Sequence, residues 1–402
     1  MKREVVITGM GAVTPLGVGA RQLFRGWVAG DSGIEDGLGR CSDFDPSAVL
    51  TRKELRRSDR FTQLALAACE EAMTGAGWGS NLPYPAERIG CVLGTGIGGL
   101  PIIEREYDVL QQRGSGSVSA IGVPMMMANA SSGVVAMRYG LCGTNFGIVS
   151  ACAASAHAIG AAVRLIQCGD ADAVVTGGSE SALTPLTMAS FAKMGATSPS
   201  GISRPFDIRR DGFVMGEGSG VLVLEDAESA RRRAAPVLGR ILGFAATSDA
   251  FHLTAPEPTG RGAANAIIGA LRDAGVSGDE IDYVNAHGTS TPLNDRSETQ
   301  AIKAALGSAA RRVPVSATKS VTGHLLGASG AVEAVATIWA LRARVAPPTV
   351  GWEEAEPGLD LDYVPERARA LPERDDDPRP AIGLSNSFGF GGHNAALVLE
   401  AA

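Results

Sequence analysis

Two stretches of this chain repeat one another, and that repetition limits what the chain can fold into. Gly212-Phe213-Val214-Met215-Gly216-Glu217-Gly218-Ser219-Gly220-Val221-Leu222-Val223-Leu224-Glu225 is echoed by Ser387-Phe388-Gly389-Phe390-Gly391-Gly392-His393-Asn394-Ala395-Ala396-Leu397-Val398-Leu399-Glu400. Each reads as a glycine-rich hairpin whose second strand is Leu-Val-Leu-Glu. A second pair, Val149-Ser150-Ala151-Cys152 and Val315-Ser316-Ala317-Thr318, places a strand end before a small-residue helix. Both pairs keep the same order at similar separations. Repeated units of this kind dictate architecture. The chain therefore divides into two halves of similar topology, residues 1–235 and 236–402, joined near residues 226–240. The joining stretch contains Arg231-Arg232-Arg233, read as a charged helix end.

Within each half, strands alternate with helices. Val5-Val6-Ile7 reads as a strand ending at Gly9-Met10-Gly11, Ile89 to Gly99 as a second running into a glycine turn, Asn145 to Val149 as a third and Asp172 to Gly178 as a fourth. Phe61 to Met73 and Ala153 to Gln167 are alanine-rich and helical in spacing. This alternation predicts βαβ units and a mostly parallel sheet, an α/β protein. The first glycine turn is not a dinucleotide fingerprint, because Thr14 stands where the third glycine belongs. A net charge of −7 argues against a nucleic-acid binder. The six cysteines show no CxxC pair and no metal-ligand spacing, so no metal is expected. The N-terminal apolar run is far too short for a signal peptide, and no later stretch reaches about 18 uninterrupted apolar residues. A soluble cytoplasmic protein with no membrane contact is expected.

Cys152 is the residue with the most chemical potential. It sits where the strand Asn145 to Val149 meets the helix Ala153 to Gln167. The first amides of a helix lack intrahelical partners and carry the positive end of the macrodipole. A thiolate there is stabilised, which predicts a thiol pKa lowered from about 8.5 toward neutrality. The same amides can hold an oxyanion. Against this stands the ordinary role of cysteine as a small buried hydrophobe.

The second half supplies two histidines in similar settings. Ile281 to Ala286 is a strand that ends at His287-Gly288-Thr289-Ser290-Thr291-Pro292. Thr318-Lys319-Ser320-Val321-Thr322-Gly323-His324 precedes an alanine-rich helix carrying Glu333. Each histidine lies beside a glycine at the end of an element, and two such loops together point to a site. His157 lies about one turn past Cys152 on the same helix, which predicts packing. His252 and His393 have no assigned role.

Two further stretches stay open on residues alone. Arg52, Lys53, Arg56, Arg57 and Arg60 form a basic cluster on an acidic chain. It is either a solvated helix face or a dock for an acidic partner. Met125 to Met127 are either core or the lining of an apolar channel.

Four ordered motifs now meet a known pattern: Ser150-Ala151-Cys152; Asn285-Ala286-His287-Gly288-Thr289-Ser290-Thr291; Thr318-Lys319-Ser320 with Gly323-His324-Leu325-Leu326-Gly327-Ala328; and Asn386-Ser387-Phe388-Gly389-Phe390-Gly391-Gly392. Ser203-Arg204-Pro205-Phe206-Asp207 and Arg210-Asp211-Gly212-Phe213 agree as well. The chain resembles the elongating β-ketoacyl-acyl carrier protein synthases with a Cys-His-His site, across residues 3–399. The resemblance implies the thiolase fold, a five-layered αβαβα sandwich of two similar halves, and a decarboxylative Claisen condensation. Cys152 would take the acyl chain, its own amide and that of Phe390 forming the oxyanion hole. His287 and His324 would stabilise the enolate left by malonyl decarboxylation. Lys319 and Glu333 would be the pair supporting the histidine loop. Thr289 and Thr291 would bind the phosphopantetheine arm, and Phe390, with Gly391 and Gly392 beside it, would gate the acyl pocket.

The same resemblance implies an acyl carrier protein as partner, with Arg56, Arg57 and Arg60 as docking residues. No cofactor is implied, because the substrates ride on the carrier's phosphopantetheine. It implies a homodimer, or a heterodimer with a chain-length factor, with Pro124 to Gly133 near the interface. Gly122 departs from the bulky aromatic of fatty-acid enzymes, which predicts a wider pocket. Thiolase chemistry is excluded, since no cysteine follows Cys168. His324 argues against the Cys-His-Asn synthases. The alternative, a non-catalytic chain-length-factor-like subunit, is opposed by Cys152. Glu104-Arg105-Glu106-Tyr107 and Asn294-Asp295-Arg296 resemble polyketide ketosynthases and Gly389 to Asn394 fatty-acid ones, leaving the pathway open.

Overall fold

The computed structural model describes residues 2–79, 81–372 and 379–402. Ten strands carry the architecture. In the first half they are β1 (Val5–Thr14), β2 (Ile89–Gly94), β3 (Asn145–Ile148), β4 (Ala173–Glu180) and β5 (Gly218–Asp226). In the second they are β6 (Gly239–Ser248), β7 (Tyr283–Asn285), β8 (Val315–Ser316), β9 (Ile382–Gly389) and β10 (His393–Ala401). From the centre outward the first half runs β1-β5-β4-β2-β3 and the second runs β6-β10-β9-β7-β8. The two orders are the same when each half is counted along its own chain. They meet where β1 pairs antiparallel with β6, Val6 facing Arg240.

Each half is mixed rather than mostly parallel. The β2–β4 and β2–β3 pairs are parallel, while β1–β5 and β4–β5 are antiparallel, and the second half follows suit. The last strand of each half returns beside its predecessor, which reverses the direction.

The first repeat copy is not a hairpin. Met215–Gly216 pairs in parallel with Leu38–Gly39, and β5 starts only at Gly218. Both edges of β5 are occupied by β1 and β4, so no edge is left for Met215. The second copy is a true hairpin, β9–β10, with Phe390, Gly391 and Gly392 at its turn.

Five layers result. Helix α1 (Arg60–Gly75) covers the outer face of the first sheet, and α3 (Arg261–Ala274) with α4 (Pro292–Leu306) covers the second. Between the sheets lie α2 (Ala154–Cys168) and α5 (Ser329–Ala343), packed on each other. Helix α5 is buried continuously from Ser329 to Ile338, which suits an apolar helix with no polar face and carries Glu333 into the interior. Strand β1 runs straight through Gly9 and Gly11 instead of turning there. A Cβ at either would come within 1.9 or 2.0 Å of the Ala72 or Ala68 carbonyl of α1, so only glycine lets the helix lie so close.

The basic stretch is not one helix. Arg52–Arg56 is a short helix with a Thr51–Glu54 capping box, and α1 begins afresh at Arg60 behind the cap Asp59.

Candidate active site

The chain enters the site through a strained turn. Ala151 holds φ +49°, a conformation uncommon for a residue with a Cβ, between the end of β3 and the start of α2. The turn presents Cys152, which is buried. Gly389 lies against its backbone, where a Cβ would sit 3.0 Å from the Cys152 nitrogen and 3.1 Å from the Ser150 oxygen. Burial pushes the Cys152 thiol up to about 12, and Glu180 and Glu333 add to the rise. The Lys319 charge and a hydrogen bond from the Phe390 amide oppose it. The lowered pKa expected from the helix terminus is therefore overturned: desolvation outweighs the dipole, and the resting group is a thiol.

Both histidines come from the second half and line the same cavity as this cysteine, and His324 contacts it. His324 Nε2 lies 3.0 Å from Cys152 Sγ. The Leu326 amide donates to His324 Nδ1 at 3.2 Å, with Ser329 Oγ at 3.0 Å. Nδ1 is thus an acceptor, and the ring proton sits on Nε2, facing the sulfur. His287 follows the same logic. Lys319 Nζ approaches its Nδ1 at 3.2 Å and donates to its backbone oxygen at 2.7 Å. An ammonium has no lone pair, so Nδ1 accepts and Nε2–H faces the site. The rings meet edge to face with centroids 5.5 Å apart. Burial and the Lys319 charge hold both well below the usual imidazole pKa, so both are neutral. Lys319 is itself held by Glu333, both side chains being almost fully buried.

Two carboxylates here were not legible in the sequence. Glu298, on α4, accepts the His287 and Gly288 amides at 2.7 and 2.8 Å and fixes the first histidine loop. Its surroundings, Arg296-Ser297-Glu298-Thr299, look like an ordinary surface helix. Burial lifts its pKa to about 7. Glu180, the last residue of β4, accepts Gly96 N at 2.5 Å and Gly327 N at 3.1 Å, tying the loop after β2 to the His324 loop. A carboxylate closing an apolar strand was the available signal. Among the described residues no group of three His, Cys, Asp or Glu side chains is placed to hold a metal.

Cys152, His287 and His324 open into a cavity of about 390 Å³ lined by Phe191, Phe213, Phe388, Phe390, Thr289 and Thr291, among others. The two threonine hydroxyls lie 2.9 Å apart in its lining. Gly391 and Gly392 hold φ of +84° and +73°, and the turn is tied by Gly391 N to Leu253 O at 2.7 Å. Gly122 faces Glu106 and lies outside this cavity in the single chain. Met125 is buried and Met127 exposed. His252 caps its own loop through Thr254 N and Ala255 N, and His393 stands edge-on to His157. Arg56 and Arg57 are exposed. Arg60 is not available for docking: it grips the buried Glu217 with Nε and Nη2 and also donates to Cys41 O. It starts α1 rather than continuing the helix of Arg56, so it points inward.

A buried thiol facing two neutral imidazole N–H donors, in a two-fold repeated five-layered α/β frame, defines a condensing acyltransferase of the thiolase fold. Family models bear this out. The N-terminal domain of beta-ketoacyl synthase matches residues 38–230 and its C-terminal domain matches residues 238–353. The chain belongs to the β-ketoacyl synthase family. It is 47% identical to 3-oxoacyl-[acyl-carrier-protein] synthase 2 of Synechocystis sp., with 99% of this chain and 98% of that protein covered. Among solved structures it is similar to a type II PKS ketosynthase in complex with its acyl-carrier protein and bound to the hexaketide (31% identity, TM-score 0.90). It is also similar to the ishigamide ketosynthase/chain length factor (32% identity, TM-score 0.91). Both alignments cover each chain completely.

Proposed function

We propose that the protein condenses an acyl group held on Cys152 with a malonyl thioester, both delivered by an acyl carrier protein. The observation that carries this reading is the pair of Nε2–H donors, His287 and His324, converging beside the thiol. Acyl transfer to Cys152 releases the carrier thiol, which takes the proton that Cys152 loses. Loss of carbon dioxide from the malonyl group then leaves an enolate oxygen. Two neutral N–H donors suit that charge without having to give up a proton. The enolate carbon attacks the acyl-Cys152 carbonyl, and the amides of Cys152 and Phe390 hold the resulting oxyanion. Collapse expels the Cys152 thiolate, which is reprotonated, and frees the 3-oxoacyl carrier.

Thr289 and Thr291 serve as polar contacts for the pantetheine arm. Phe390 gates the pocket, its two following glycines giving the turn freedom to move. The exposed Arg56 and Arg57 dock the acidic carrier. A dimer is supported by β3 standing at the edge of the sheet among the described residues, and by the exposed Val123, Met127, Met137, Phe146 and Val149 in the stretch that leads into and out of it. The higher identity to the Synechocystis enzyme than to the polyketide ketosynthase favours fatty-acid elongation. Intact-mass analysis with saturated and β-keto acyl carrier proteins tests the reading. An acyl adduct on the wild type, absent from Cys152→Ala, is expected, with saturated chains preferred. No adduct with any donor would overturn it.

A further inference from the structure

His157 has more to do than fill space. It lies on α2 beyond the nucleophile, and its Nδ1 is 2.6 Å from the hydroxyl of Ser150, two residues before Cys152. Its ring also stands edge-on to His393, the first residue of β10, with centroids 6.4 Å apart. The Asn394 backbone favours the protonated ring, as a carbonyl does, so Nε2–H is the nitrogen turned toward it. Burial and the neighbouring His393 keep the imidazole neutral. A neutral ring with one donor and one acceptor matches the Asn394 carbonyl on one side and the Ser150 hydroxyl on the other. Phe244 stands edge-on to the ring and fixes its plane.

The two anchor points matter because of what they carry. Ser150 leads into the strained turn that aims the Cys152 amide. Asn394 pairs with Phe388 in the β9–β10 hairpin, whose turn carries Phe390. Gly389 of that hairpin already rests on the Ser150 to Ala153 backbone; β6 and the Leu253 carbonyl hold the hairpin to its own half, and His157 adds a side-chain tie to the turn of the other. Nothing in the sequence around His157 signals this, since its helical neighbours are all small or apolar.

We propose that His157 is a positioning residue that clips the nucleophile turn to the β9–β10 hairpin and so fixes the spacing of the two amides that receive the oxyanion. The inference rests on the condensing-enzyme reading above. It gives His157 no contact with substrate and no part in proton transfer.

The test separates the oxyanion hole from the thiol. Acyl transfer from acyl carrier protein needs both; alkylation of Cys152 by iodoacetamide needs only the thiol. His157→Phe keeps the ring volume and loses the Ser150 hydrogen bond and the polar contact to Asn394. It is expected to slow single-turnover acylation by about tenfold to a hundredfold, the scale of a small misplacement in a site, while alkylation keeps its rate. His157→Gln, whose amide can donate and accept, is expected to recover most of the acylation rate. Ser150→Ala, which removes one anchor, is expected to show a milder form of the same split, and it decides the matter if His157→Phe does not fold. Unchanged acylation in His157→Phe, a parallel fall in alkylation, or no recovery in His157→Gln would each overturn the proposal. Failure of the wild type to acylate at all would instead overturn the condensing-enzyme reading, so the two failures are distinct.

Discussion

Cys152 Sγ and His324 Nε2 lie 3.0 Å apart although they come from opposite halves of the chain. Because the Leu326 amide occupies Nδ1, this contact is a donor pointing at sulfur, not a free base waiting for the thiol proton. The thiol therefore titrates on its own raised pKa, pushed up to about 12 by burial. Below that pKa the thiolate fraction grows about tenfold for each pH unit. The alkylation rate of Cys152 by iodoacetamide should rise log-linearly from about pH 6 to 9 without levelling. A plateau near neutrality would show that the thiolate is already formed at rest.

The histidine pair divides the work unequally between the two half-reactions. His287 faces His324 but makes no hydrogen bond to the sulfur. His287→Ala should leave acyl transfer to Cys152 close to wild type and slow malonyl decarboxylation and condensation by about 10²–10³, the cost of one well-placed donor. Intact mass after acyl loading, with carbon dioxide release measured separately, distinguishes the steps. Equal loss in both steps would place His287 in acylation too.

Much of the frame could be read from residues alone, and the reasons are specific. The repeat placed Cys152 and Thr318 at equivalent strand ends, and β3 and β8 do hold equivalent edges. His287 and His324 were legible because each breaks a strand or loop pattern beside a glycine. Glu298 was not, because its function lies in accepting two backbone amides from a loop that is close only in space. The thiol pKa was misjudged for a related reason. Helix position is a local property, whereas burial is created by the second half folding over the first. The basic cluster at residues 52–60 stayed open because its helical face is broken at Asp59, whose carboxylate caps α1 and starts a new helix.

That break sets Arg57 and Arg60 to different tasks. Arg57 is exposed, while Arg60 is half-buried and paired with a nearly buried Glu217. Arg56→Glu with Arg57→Glu should raise the KM for acyl carrier protein several-fold at unchanged kcat and unchanged Tm, with the effect shrinking in high salt. Arg60→Ala should instead lower Tm, because it leaves Glu217 without its cation. A lowered Tm in the double Arg56 and Arg57 variant would contradict this division.

Glu298 makes stability depend on pH in an unusual direction. Its folded pKa is raised to about 7 by burial, above its ordinary value of 4.5. Below about pH 4.5 both folded and unfolded forms are protonated, and its contribution is fully present. As pH rises toward 7 the unfolded chain ionises first, so stability is lost, by about 3 kcal/mol in total. Glu298→Gln cannot ionise. The Tm of the wild type, compared with that of Glu298→Gln, should fall between pH 5 and pH 8. A constant difference across that range would show that the carboxyl is already charged at pH 5.

Lys319 and Glu333 carry the heaviest structural penalty in the site. Both side chains are only 2% exposed, and the ammonium also holds the His287 carbonyl and Nδ1. Removing either partner leaves a charge buried and unpaired, a loss of about 3–5 kcal/mol. Lys319→Met should also free the His287 ring to adopt either tautomer, so decarboxylation falls further than stability alone explains. Replacing both, Lys319→Met with Glu333→Leu, removes both charges and should recover most of the Tm without recovering decarboxylation. Recovery of both together would mean that the ammonium only supports the fold. Recovery of neither would mean that the pair is held in place by more than mutual charge. Stability restored with activity still lost would separate the two roles, because only the lysine donates to the histidine loop.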